Sequence, residues 1–125
     1  MFLTRISGTV SGRSTRESRR SYSPDGRAIA EFSLACGNDS VKFPTMYVKV
    51  CVWEELAEKA FSVIDRKGLN IEASGFLVIS WYEGVHGKTQ LIELKDVREV
   101  KVFDRDGVLV QVLRGGKVEQ EGGDI

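Results

Sequence analysis

The sequence predicts an all-β fold: a small barrel of five strands with one helix set between the third and fourth, and one further strand at its C-terminal end. Three observations carry this. Apolar residues recur at every second position in 28–35 and 46–53, the period of a strand with one buried face. Helical spacing occurs clearly only in residues 54–67. Turn signals such as Pro24-Asp25-Gly26 and Asp106-Gly107 divide the remainder into short extended segments.

In chain order, residues 2–10 read as the first strand. Residues 11–23, SGRSTRESRRSYS, are rich in Ser and Arg and follow neither period, which predicts a long mobile loop. After the Pro24-Asp25-Gly26 turn, AIAEFSLA (28–35) alternates Ala28, Ala30, Phe32 and Leu34 with Ile29, Glu31 and Ser33, so a second strand is expected. Residues 36–45 form a short loop. MYVKVCVW (46–53) puts Met46, Val48, Val50 and Val52 on a core face. The opposite face holds Tyr47, Lys49, Cys51 and Trp53, which places two aromatics and a lysine on one side.

Residues 54–67 are the helix, with Ala57, Ala60, Phe61 and Ile64 on its apolar stripe and Glu54-Glu55 at its positive end. Arg66, Lys67 and Gly68 read as its C-terminal signal. A strand over 69–82 is interrupted at Gly75, the mark of a bulge or bend. Residues 83–87 turn and 88–103 return, then Asp106-Gly107 leads into a hairpin strand at 108–113. From Gly115 the chain is polar, giving a domain over 1–114 and a flexible acidic tail over 115–125. One helix between the third and fourth strands of five suits a Greek-key barrel of the oligonucleotide/oligosaccharide-binding (OB) type.

The chain has 125 residues, enough for one domain, and is 42% hydrophobic and 29% charged. No apolar run approaches a membrane span, and MFLTRISGTV lacks the pattern of a signal peptide, so a cytoplasmic protein with no membrane contact is expected. The net charge of zero argues against binding by bulk charge, but the charge is uneven. Residues 1–27 carry six arginines against Glu17 and Asp25, or +4, whereas Gly115 onward has Lys117 against Glu119, Glu121 and Asp124, or −2. Cys36 and Cys51 lie in apolar segments outside any CxxC pair, so two reduced, buried thiols are expected. His86, the only histidine, sits in a Gly-Val-His-Gly turn with no ligand-spaced partner, and no metal or cofactor is expected. No nucleotide-loop, nucleophile-elbow or zinc-protease motif is present, which points away from an enzyme.

Three segments carry a resemblance. YSPDGRAIAEFSLA (22–35) resembles the turn and second strand of bacterial-type single-stranded DNA-binding proteins. YVKVCVWEELAE (47–58) resembles their third strand and helix start, and RKG (66–68) with NIEASGFL (70–77) their helix end and next strand. The similarity covers roughly residues 2–103. It implies sequence-tolerant binding of single-stranded DNA in replication, recombination or repair, without a cofactor, by a homotetramer or homodimer. It also implies a cytoplasmic, nucleoid-associated location or an organelle of bacterial descent.

By position, the family's stacking aromatics fall on Tyr47, Trp53 and Tyr82, with Trp81 beside the last, and its basic position falls on Lys49. A further aromatic position falls on Ser40, for which Phe43 is the nearest substitute. Arg13, Arg16, Arg19 and Arg20 supply cations near this set. The first loop is longer and more basic than in typical members, and EGGDI stands where they have an acidic tip, so recruitment of repair partners through a tip is not expected.

Rings suit the faces of exposed bases, and cations suit the phosphates. A second reading is open for each residue. Tyr47 and Trp53 favour binding, but they also suit packing under a loop or an oligomer interface. Trp81 is in phase with Leu77 and Ile79, which favours core or interface over stacking, whereas Tyr82 shares parity with Phe76 and Val78. Two rival functions stand beside DNA binding: a protein-interaction or assembly module with little nucleic-acid affinity, and a single-stranded RNA binder.

Overall fold

The computed structural model describes residues 4–37 and 45–115. These form β1 (Thr4–Ser14), β2 (Arg19–Tyr22), β3 (Ala28–Cys36), β4 (Met46–Trp53), α1 (Glu54–Val63), β5 (Asn70–Gly84), β6 (Gly87–Phe103) and β7 (Leu109–Arg114). Five strands close into a ring. β1 pairs antiparallel with β5, β5 with β6, and β3 with β4. β4 then runs parallel to β6 at Lys49↔Glu93 and Val50↔Leu94, and β1 meets β3 at Arg13↔Ala35 and Ser14↔Leu34. β2 extends the β1 side of β3, and β7 adds to β6. This is the expected OB barrel, with α1 between its third and fourth ring strands.

Alternation decides what faces inward. Ala30, Phe32 and Leu34 of β3 and Val48, Val50 and Val52 of β4 are buried, together with Ile71, Ala73, Leu94 and Val100. Leu56, Ala57 and Ala60 of α1 and the following Ile64 complete this core. Met46 departs from the expected core face and is exposed, because it begins β4 beyond the packed layer. Phe61 also lies outside the core; it carries the Arg20 guanidinium 4.6 Å above its ring.

The expected mobile loop over 11–23 is overturned. Residues through Ser14 belong to β1, paired with β5 as far as Arg13↔Asn70, and Arg19–Tyr22 pair with Glu31–Ala28. Two buried serines hold the turn between them. Ser18 donates from both its backbone N–H and its hydroxyl to the Ile64 carbonyl, each at 2.8 Å. The Ser14 hydroxyl donates to the Arg66 carbonyl at 2.8 Å and accepts the Leu69 N–H at 3.0 Å. A Ser-rich segment thus satisfies its backbone through long-range pairing that local periodicity does not register.

These bonds also shorten the helix, expected over 54–67. It ends at Val63, and Ile64 leaves helical geometry with φ −90° and ψ 78° while its carbonyl turns to Ser18. Gly68, at φ +89°, therefore serves the following turn instead of capping the helix, and its N–H donates to the Ser14 carbonyl. At the other end β4 passes into α1 without a linker, through Glu54 at φ +58°.

The bulge expected at Gly75 is present: the β5–β6 register shifts between Ser74 and Phe76. A Cβ on Gly75 would lie 2.5 Å from the Lys95 carbonyl oxygen. Gly75→Ala must therefore push the two strands apart, and we expect a destabilisation of about 1–3 kcal/mol, measured as a lowered urea midpoint.

Candidate nucleic-acid interface

Residues opposed across a sheet point to the same side, so the register defines rows over the outer surface of β3, β4 and β6. Ala35 and Tyr47 share one row, Ser33 and Lys49 the next, then Glu31 with Cys51, and Ile29 with Trp53. Arg13 continues the first row and Glu93 the second, while Arg19 extends the third. One continuous strip therefore carries a ring at each end of β4, with Lys49 between them.

Tyr47 is 63% exposed and Trp53 38%. Trp53 is the more covered because Arg27 lies 4.6 Å over its ring. Arg27 is itself held by Asp25, 3.3 Å away. The Ser23 hydroxyl bonded to Asp25, aided by Arg27, keeps that carboxyl below its usual range and so ionised at neutral pH.

Lys49 is enclosed by carboxylates. Its Nζ lies 3.4 Å from Glu31 and 3.9 Å from Glu93, and Glu93 also reaches Lys95 at 3.7 Å. Beside this strip, Thr15, Arg16, Glu17, Arg19, Glu31, Ser33 and Lys49 line a cleft of about 290 Å³.

The expected arginine set is divided. Arg13, Arg16 and Arg19 flank the strip. Arg20 is turned to the helix, paired with Glu58 at 3.0 Å and stacked on Phe61, so the structure does not join it to Lys49. The hairpin of β5 and β6 projects past the core, and its rings are both open: Trp81 is 64% and Tyr82 53% exposed. Of the two readings for Trp81, core and interface, the core is thereby excluded. It keeps the parity of Leu77 and Ile79, but the hairpin has left the barrel by that point. Tyr82 shares the outward side of Val78, which opposes Glu93. His86 lies exposed in the hairpin turn, as expected. Phe43 and Ser40, and the tail from residue 116, lie outside the described residues.

Sequence reasoning missed Arg27, Glu93 and Lys95 as members of this face. Arg27 precedes the β3 alternation and reaches Trp53 only because β3 pairs with β4. Glu93 reaches Lys49 only through barrel closure, and Lys95 joins the group through Glu93.

A closed five-stranded Greek-key barrel of this topology is the OB architecture, one that recurs in oligonucleotide-binding proteins. The model of the single-strand binding protein family matches residues 7–103, and the chain belongs to that family. Its members are non-enzymatic proteins that bind single-stranded DNA, which is the function class of this chain. No curated protein matches the sequence.

The two cysteines are free and half-buried instead of fully buried. Burial pushes both thiols up, and at Cys51 Glu31 and Glu93 add to the rise while Lys49 and Lys95 oppose it. A raised thiol holds less thiolate at neutral pH. Both should alkylate with iodoacetamide more slowly than free cysteine at pH 8, with rates still climbing above the ordinary thiol range; equal rates would contradict this.

Proposed function

We propose that the outer face of β3, β4 and β6, continued onto the β5–β6 hairpin, is where this family member holds single-stranded DNA. Bases stack on Tyr47, Trp53 and Tyr82, and phosphates pass over Lys49, Arg13, Arg16 and Arg19. The observation that carries this reading is the placement of Tyr47 and Trp53 on one outward face with Lys49 between them. Stacking tolerates any base, so binding is sequence-tolerant, and the phosphate contacts make it salt-sensitive. Trp81 adds a ring on the other side of the hairpin.

The physiological setting we propose is replication, recombination or repair in the cytoplasm, by a homo-oligomer with the tetramer ahead of the dimer. The exposed apolar run Val108, Leu109 and Val110 supports self-association. A protein-contact role for the same face is the second reading, favoured by the internal pairing of Lys49 with carboxylates.

A tryptophan fluorescence titration with oligo(dT) of about 35 nucleotides separates the two readings. We expect saturable quenching that weakens with salt and exceeds that with duplex DNA of equal length. Trp53→Ala should weaken binding by about 1–3 kcal/mol while melting near the wild-type temperature. Bound oligo(dT) should shield Cys51, which lies between Lys49 and Trp53, from alkylation, and leave Cys36 reactive. No quenching and no change in anisotropy at micromolar protein and low salt would overturn DNA binding in favour of protein contact.

A further inference from the structure

We infer that Glu31 and Glu93 set the affinity of this face, by holding Lys49 in an internal ion-pair ladder that a phosphate must break. The inference rests on the single-strand reading of the face. The ladder crosses three strands with alternating sign: Glu31 on β3, Lys49 on β4, then Glu93 and Lys95 on β6. It passes between the two rings of β4. Tyr47 and Trp53 are six positions apart, about 20 Å along a strand, so a DNA strand stacked on both runs over Lys49.

In the free protein the carboxylates occupy the place a phosphate would take. Once a phosphate has displaced them, two negative groups remain beside it, so the exchange is opposed at both stages. The fold does not rest on the Glu31 pair. The Glu31–Lys49 pair is more than a third exposed on both sides and contributes little to stability, whereas Glu93 is only 17% exposed; the buried apolar core lies on the opposite face of the same strands. Glu31 is the freer competitor, because Glu93 keeps Lys95 as a second partner.

The test is an anisotropy titration of labelled oligo(dT) with wild type, E31Q, E93Q, K49Q and the double variant E31Q/K49Q, over a range of salt. We expect E31Q to bind about 3- to 10-fold tighter at low salt, with E93Q shifted the same way by less. The slope of log K against log salt should steepen by about 0.7 in E31Q, the mark of one more phosphate neutralised on a single strand. That gain should vanish when Lys49 is absent, so E31Q/K49Q should match K49Q. The melting temperature of E31Q should stay at the wild-type value, which separates its effect on binding from any effect on folding.

If wild type binds and both E31Q and E93Q match it in affinity and slope, the ladder is overturned and the single-strand reading stands. A gain that persists undiminished in E31Q/K49Q also overturns it, since the carboxylates would then act through overall charge and not through Lys49. If neither wild type nor any variant binds, the single-strand reading itself fails, and the inference with it.

Discussion

The parallel contact between β4 and β6 is the constraint on which the rest of this molecule depends. It is short, spanning Lys49↔Glu93 and Val50↔Leu94, yet it turns a curled sheet into a closed barrel. Inward, it sets Val50 against Leu94, both fully buried. Outward, the same two rows set Lys49 against Glu93. Core and candidate site thus meet as two faces of one closure.

A second tie joins the barrel to its helix. As the chain leaves α1, Ser18 places its hydroxyl and N–H on the Ile64 carbonyl, and Ser14 places its hydroxyl on the Arg66 carbonyl and its N–H on that of Leu69. Buried carbonyls at a helix end need such partners, and leaving one unmet costs about 1–3 kcal/mol. The β1–β2 turn meets that need, which explains how a polar stretch comes to be ordered. It also holds Arg16 and Arg19 beside Lys49, since both lie in or next to the same turn.

The candidate site is notable for how much of it is already matched from within. Arg27 covers Trp53, and two carboxylates hold Lys49. A neutral chain that presents a basic strip must balance it somewhere, and here part of the balance lies on the strip itself. On the proposed reading, single-stranded DNA would bind by exchange: a base for a guanidinium on the ring, a phosphate for a carboxylate on the ammonium. With a net charge of zero, that reading leaves binding to flat rings more than to bulk charge.

Local pattern was sufficient for most of the fold. The alternation in 28–35 and 46–53 gave strands whose inward faces hold Phe32, Leu34, Val48, Val50 and Val52, because the strand period is a property of neighbouring residues alone. The bulge at Gly75 and the C-terminal hairpin were legible for the same reason. The outward placement of Tyr47, Lys49 and Trp53 followed directly from that period. What tertiary structure decided was everything set by partners distant in sequence. The Ser-Arg stretch became strand by pairing with β5 and β3, and the helix stopped at Val63 because Ile64 bonds Ser18. Trp81 kept a core parity but lost the core, because the hairpin outruns the barrel. Glu93 met Lys49 only across the closing seam, more than forty residues apart in the chain. Side-chain period is encoded locally, whereas ion pairs and strand partners depend on how the barrel closes.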